Sequence, residues 1–404
     1  MTHRKPAQGP LQGIRILDLT RLLPGPLGTM LMADMGAEVI KIEDPKQPDY
    51  VRNFPPYQNG VSMNYLAFNR SKLSVSLDFT SEEGRRMFME LVKTADVVVE
   101  QFRPKFLEKF KIDYENAKKI NEKIIYVSIT GYGQTGPYAH LAGHDLNYTA
   151  IGGVLCVTGK PDEPIAAGVQ LADISGGSYM CVIATLSAIY ARSQTGKGQH
   201  VDVSMTDAVM PLLTAIYPEA SVAPAPKGEL LTSTIKSGLS KELNLLAWQN
   251  SRGNFALSGG LPNYGIYKTA DQKFIALGTL EPKFWQKFCT LVEKPHWIAF
   301  IIPENEAEAS EYKKQISELI ALQSRTYWVE FGIKNDILIT AVNELDELHN
   351  DPHLKAREMI LEEEHPIAGK FRSIGVPLKF SETPAKPSWT APDLGEDTED
   401  VLFF

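Results

Sequence analysis

Between Gly131 and Gly177 the chain sets an imidazole, His144, and a carboxylate, Asp173, among turn-forming glycines, in GYGQTGPYAHLAGHDLNYTAIGGVL and LADISGG. A histidine near neutrality can take a proton from carbon only if the carbon acid is activated, and a second base on the opposite face can return it. A third acid, Glu281, precedes Pro282 at the start of a helical pattern and could orient and polarise such an imidazole. Each residue also has an ordinary structural reading. His144, ahead of Asp145 and Asn147, could satisfy a loop backbone; Asp173, before SGG and a long apolar run, resembles a helix N-cap; Glu281 could be a cap or dipole partner. A serine hydrolase is a poorer match, because no GxSxG nucleophile elbow occurs.

Composition narrows the setting of this chemistry. A chain of 404 residues exceeds the usual single domain, so two domains with ample core are expected. Its 43% hydrophobic and 22% charged residues are those of an ordinary soluble globular protein. No run approaches the roughly 20 consecutive apolar residues of a membrane span. The start, MTHRKPAQGP, is basic without an apolar stretch behind it, unlike a secretory signal. Cys156, Cys181 and Cys289 are odd in number and far apart, which argues against a disulfide framework or a metal cluster and for a reducing cytoplasm. The net charge of −8 comes without a dense basic run, so a nucleic-acid partner is not expected. A local basic pocket for one phosphorylated ligand stays open.

The elements that must position the pair read as repeated strand and helix. IRILDL at 14–19 is a buried strand, LPGPLGTMLMADMG a turn and helix with Pro26 near its first turn and Gly36 at its stop, and EVIKIE at 38–43 the next strand. That order suggests a βαβ unit and a parallel sheet. Residues 44–60 make a surface loop, and FNRSKLSVSLD sets Asn69, Arg70 and Lys72 before another strand. Their cationic and amide groups suit a phosphate or adenine-bearing ligand, with a solvated loop as the alternative. TSEEGRRMFMELVKTA is a capped helix with Met87, Phe88, Leu91 and Val92 on its apolar face; the strand ADVVVE then ends in QFRPKF.

Ligands of open parallel sheets sit beyond the carboxyl ends of strands, so Arg103 is placed to meet an anion or to pair with a neighbouring acid. A helix near 113–121 and the strand IIYVSIT follow, and three strand ends, at 43, 100 and 130, should converge on one crevice. There is no GxGxxG and no P-loop sequence, so nucleotide binding would rest on fold analogy alone.

After Asp173 comes a long apolar helix, then HVDVSMTDAVM as strand and helix. Residues 1–216 thus form the N-terminal part of a large domain, and 217–263, polar and aperiodic, a linker or lid. Residues 264–350 make a smaller domain with a β-hairpin turning at Ala270-Asp271 and a helix from Pro282; 351–404, with strands in GKFRSIGVPLKF and a proline-rich tail, return to the large domain or reach a partner subunit.

RILDLTRLLPGPLGTMLMADMGAEVIKIE, NRSKLSVSLD, EQFRP, GYGQTGPY, GHDLNY, LADISGG, TGKGQHVDVSM and GGLPNYGIYKTADQKFIALGTLEPKFW together resemble the class III CoA-transferase superfamily, the CaiB/BaiF group, most closely its α-methylacyl-CoA racemase branch. The resemblance implies an α/β fold with a Rossmann-like large domain and a smaller α+β domain, in an interlocked homodimer. It also implies an acyl-CoA substrate with no tightly bound cofactor and no metal. In the transferases the aspartate matching Asp173 is a nucleophile that forms an acyl anhydride. In the racemases it and the histidine matching His144 are the two bases at C2 of a 2-methylacyl-CoA, and the glutamate matching Glu281 pairs with that histidine. Coenzyme A would be held by the positions matching Asn69, Arg70, Lys72, Arg103, Tyr132, Gly133 and Asp145. Partial burial of Asp173 would bring the two bases together in strength, and backbone N–H groups at the start of the helix after Asp173 would meet the enolate oxygen. The polar stretch before GGLPNYG is longer than the racemases lead one to expect and could reshape the acyl pocket.

Overall fold

Strands buried on both faces read as unbroken apolar runs, and the runs noted above form one sheet. The computed structural model describes residues 4, 6, 8–160, 162–217, 252–253, 255–301, 303 and 306–402. These divide into two compact units, residues 1–152, 168–212 and 349–404 in the first and 153–167 and 213–348 in the second. The linker or lid expected at 217–263 falls, over 218–251, outside the described residues.

The first unit runs β1 (Arg15–Asp18), α1 (Pro24–Asp34), β2 (Glu38–Glu43), α2 (Met63–Asn69), β3 (Lys72–Ser76), α3 (Glu82–Thr94), β4 (Val97–Glu100), α4 (Tyr114–Ile120) and β5 (Ile125–Thr130). It continues with α5 (Asp145–Ile151), a π-helix (Ala172–Tyr179) leading into α6 (Met180–Thr195), β6 (His200–Ser204) and α7 (Met205–Val209). All six strands are parallel, in the order β6-β5-β4-β1-β2-β3, with Ile16 opposite both Val39 and Val97. This is the doubly wound order of dinucleotide-binding sheets, and its direction reverses between β1 and β4, where ligands bind at the carboxyl ends. On α3, Ser81 caps the Gly84 N–H and Phe88, Leu91 and Val92 are buried. Each such side chain contributes about 1.5–3 kcal/mol through lost apolar exposure. By length and composition the helix Ala172–Thr195 could cross a membrane; here it packs against α1, β5 and β6.

Buried ion pairs shape the ends of the strands. Lys72 Nζ lies 3.0 Å from Asp18 Oδ2 and donates to the Pro26 carbonyl and to Asn69 Oδ1, both at 2.9 Å. Lys41 Nζ pairs with Asp49 at 3.1 Å and donates to the Thr20 carbonyl, while Asp49 accepts the Leu22 N–H. Two points of the loop between β1 and α1, Thr20 and Leu22, and the first turn of α1 at Pro26 are thereby fixed, with Leu22 held at φ 58°. Arg70 forks onto Asp34 and donates to the Ile374 carbonyl at 2.7 Å. Asn69, Arg70 and Lys72 are all buried. This corrects the expectation that they face a ligand phosphate: their donors are taken by internal acids and carbonyls, and no side of them reaches solvent.

The tail covers what would be a bare sheet edge at β3: Ser71 N donates to the Trp389 carbonyl, Asp397 N to that of Ser74, and Trp389 Nε1 to that of Lys72. Before it, β10 (Ile360–His365) and β11 (Gly369–Ile374), named after the strands of the second unit, form an antiparallel hairpin of which only the second strand was expected. In the second unit β7 (Tyr264–Lys268), β8 (Phe274–Gly278) and β9 (Ile339–Ala341) make an antiparallel sheet. The first turn falls at Thr269–Lys273, around the Ala270-Asp271 position read from the sequence. Trp285 and Phe288 of α8 (Pro282–Leu291) and Trp328 of α10 (Arg325–Asn335), with α9 (Glu306–Ile320) between them in sequence, build its core.

Lys72→Ala should leave Asp18 buried without its ammonium and lower the unfolding free energy by about 3–5 kcal/mol. Urea denaturation reads this directly, and a loss below about 1 kcal/mol, as for an exposed pair, would contradict the internal role.

Candidate active site

Beyond the carboxyl ends of β1, β4 and β5 lies a crevice of about 560 Å3. The loop after β1 contributes Leu22 and Pro24, the end of β4 contributes Gln101 to Pro104, and the end of β5 contributes Thr130 and Gly131. Gln101 ties two of these walls together, accepting the Gly25 N–H at 3.0 Å. His144 and Asp173 both line this crevice, as does Arg103. Two of the three strand ends expected to converge, 100 and 130, do so here; the third, at 43, is bound to Arg52 inside the unit.

His144 is the N-cap of α5, in extended backbone, and its N–H donates to Asn147 Oδ1 at 3.0 Å. Asp173 sits in the first turn of the π-helix, whose N-cap is Leu171, so it does not cap the helix as its local pattern suggested. A π-helix widens the turn by one residue and recurs at functional sites. Here its glycines allow close packing: a Cβ on Gly177 would meet Pro24 Cβ at 2.5 Å, and one on Gly28 would meet the Ser178 carbonyl oxygen at 2.9 Å.

Asp145, one residue after His144, joins the two parts of the site. Its Oδ1 accepts the N–H of Ala172 at 2.6 Å and of Asp173 at 3.0 Å. Burial, and then the charge of Asp145, push the Asp173 carboxyl up to about 7. The carboxyl therefore changes charge where an imidazole ordinarily does, as the partial burial inferred from sequence required. At the start of this helix Asp145 takes the N–H groups of Ala172 and Asp173, and the Gln170 carbonyl takes that of Ile174.

Arg103 lines the crevice beside Phe102, whose ring is covered by the Arg21 guanidinium at 5.1 Å. Tyr132 and Gly133 stand behind the Gly131 wall: Tyr132 packs edge-on against Tyr138 and Tyr148, and Gly133 N donates to Thr130 Oγ1 at 2.9 Å. Glu281 belongs to the second unit, where it is the N-cap of α8 in extended backbone and makes no side-chain cap bond. Sequence reasoning missed Gln101, Tyr50 and Tyr148 in the lining. Tyr50 lies in an aperiodic loop with no signal; Tyr148 stood in GHDLNY, four residues from His144, and was readable as a ring folded back on its own helix start. A second buried carboxyl, Glu100, is also pushed up to about 7 by burial, but it lies under Phe102, whose N–H it accepts at 2.7 Å, outside the crevice lining.

Residues 11–398 match the family described as CoA-transferase family III. The chain is 43% identical over 394 residues to acetyl-CoA:oxalate CoA-transferase of Acetobacter aceti, covering 94% of this chain and 92% of the relative. It is 31% identical over 397 residues to alpha-methylacyl-CoA racemase of Homo sapiens, covering 97% and 92%. Among solved structures, a CAIB/BAIF family protein from Brucella suis has a TM-score of 0.77 at 30% identity, with 98% of each chain covered.

The raised carboxyl of Asp173 has a definite consequence for stability. Because the folded state holds this proton up to about 7, against 3.8 for the ordinary side chain, folding is disfavoured progressively as pH rises through that window. Asp173→Asn should therefore gain about 1–2 kcal/mol over the unaltered protein at pH 8, after discounting for solvent access, and little at pH 4. Denaturant unfolding at the two pH values checks it; an equal effect at both would contradict the shift.

Proposed function

This chain belongs to CoA-transferase family III, and from that premise we propose that it racemises a 2-methylacyl-CoA by proton transfer at C2, with His144 and Asp173 as the two bases. The observation that carries the reading is the presence, in one crevice, of an imidazole and a carboxyl that titrates at about 7. One base removes the C2 proton, the thioester carbonyl holds the resulting charge, and the other base, protonated, then delivers its own proton to the opposite face. A carboxyl raised to about 7 can both accept and return a proton near neutrality. Arg103 is the crevice cation for a CoA phosphate, Tyr132 and Gly133 back the wall beside the pantetheine arm, and Asp145 serves by orienting the Asp173 turn. CoA enters as part of the substrate, and the reaction needs no metal or redox group.

CoA transfer is the second reading, favoured by the 43% identity to a CoA-transferase. In it ionised Asp173 attacks the thioester carbonyl, the C–S bond breaks, and CoA leaves as thiolate. The thiolate then attacks the aspartyl carbonyl of that anhydride, releasing the first acid and leaving an aspartyl-CoA thioester; an acceptor carboxylate displaces CoA from it as a second anhydride with Asp173, and the thiolate attacks the acceptor's carbonyl to give the new acyl-CoA and free Asp173. We place the protein in the cytoplasm as a homodimer. Free thiols at all three cysteines support the first, and an exposed apolar stripe on α6 and its preceding turn (Tyr179, Ile183, Leu186, Tyr190) supports a second copy.

The deciding experiment incubates a 2-methylacyl-CoA in D2O without an acceptor acid. Deuterium should enter C2, and His144→Ala and Asp173→Asn should each reduce the rate by at least about a hundredfold. No exchange, together with hydroxylamine-sensitive acylation of Asp173, would replace racemisation by CoA transfer.

A further inference from the structure

Tyr148 is the body around which the loop carrying His144 folds. Its ring fills the space that side chains would need at two glycines: a Cβ on Gly131 would lie 2.2 Å from Tyr148 Cε1, and one on Gly143 would lie 2.6 Å from it. Gly131 follows β5 and Gly143 immediately precedes His144, so one ring spans two walls of the crevice. The Gly131 wall is itself fixed, since its carbonyl accepts the N–H of Thr206 at 3.0 Å and its hydroxyl at 2.7 Å. Tyr132 meets the Tyr148 ring edge-on, with centroids 5.2 Å apart at 83°. The Tyr148 hydroxyl donates to the Gly143 carbonyl. Burial, followed by the charge of Asp173, pushes that phenol up to about 12, so it stays a neutral donor across the working range.

We propose that Tyr148 is a positioning residue that sets the His144 imidazole toward the substrate, by tethering the Gly143 carbonyl and packing between Gly131 and Gly143. The proposal rests on His144 acting as a base at C2. Removing only the hydroxyl leaves the ring between the glycines and releases the carbonyl next to His144. Its effect therefore falls on the aim of the imidazole, and not on the fold or on the hold on CoA. A base aimed at carbon is sensitive to displacements of an ångström, because the reacting atoms must meet in line.

Tyr148→Phe tests this through three measurements on the full chain. Washout of the C2 hydrogen is followed separately from each epimer of a 2-methylacyl-CoA. CoA affinity is read by calorimetry, and the His144 ring by its NMR resonances, assigned with His144→Gln. Washout from the epimer whose hydrogen faces His144 should fall about ten- to a hundredfold, the other epimer should lose much less, and CoA affinity should stay within about twofold. The His144 resonances should shift. Equal losses for both epimers, no loss for either, or unmoved His144 resonances would overturn the proposal. If the unaltered protein washes out neither epimer, the racemase reading has failed; shifted His144 resonances would then still uphold the tether and unmoved ones would refute it. Should Tyr148→Phe not fold, Gly143→Ala presses a Cβ on the same ring from the loop side and must give the same asymmetry between epimers.

Discussion

A single carboxylate oxygen, Oδ1 of Asp145, receives the backbone N–H of Ala172 and of Asp173, and the site depends on that bridge. It fastens the start of α5, which carries His144, to the first turn of the π-helix, which carries Asp173. The same charge opposes ionisation of Asp173, so the contact that places the carboxyl also tunes it. Burial supplies the larger part of the shift and the Asp145 charge the rest. Hydrogen bonds from two N–H groups to one anion are charge-assisted and shorter than neutral ones, which suits a contact that must hold two elements in register.

The rest of the unit supplies a rigid frame for this bridge. The strand order reverses between β1 and β4, so the loops beyond their carboxyl ends diverge and leave a crevice. Those loops would be mobile if left to themselves. Lys41 and Asp49 hold the one after β1 at the Thr20 carbonyl and the Leu22 N–H, Lys72 holds the first turn of α1 at the Pro26 carbonyl, and Gln101 links that turn to the end of β4. A charge buried without a partner costs several kcal/mol, so this ion cluster resists rearrangement even though its net contribution to stability is modest. Glycines at 28 and 177 let α1 and the π-helix approach closely enough to bring Pro24 and Asp173 into one lining.

Much of this was legible in the sequence, and the failures share a physical origin. Central strands such as IIYVSIT declare themselves because burial on both faces removes polar residues. Strand ends then locate the crevice, which is why Arg103, after β4, was expected beside it; His144 and Asp173, singled out among turn-forming glycines, line the same crevice. Lys72 and Arg70 were misread because a cation before a strand looks alike whether it faces ligand or core. The acids that take them, Asp18 and Asp34, stand 54 and 36 residues away. Asp173 resembled a cap because the pattern S-G-G after it mimics a helix start, while the helix had already begun at the preceding residue. The strand Ile360–His365 was overlooked because ILEEEH exposes one face and carries three consecutive acids, where an edge hairpin needs little apolar alternation. The family was legible from ordered motifs, whereas the choice between C2 proton transfer and acyl transfer was not, since both chemistries require the same aspartate.

The chemistry of the crevice depends most directly on the charge state of one side chain. Carbon-13 labelling of aspartate carboxyls, with Asp173→Asn for assignment, would give the titration of Asp173 in the full chain, unaltered and as Asp145→Asn. A midpoint near 7 that falls when the Asp145 charge is removed is what the geometry predicts. A midpoint near the ordinary carboxylate value of 3.8, or one indifferent to Asp145, would contradict it.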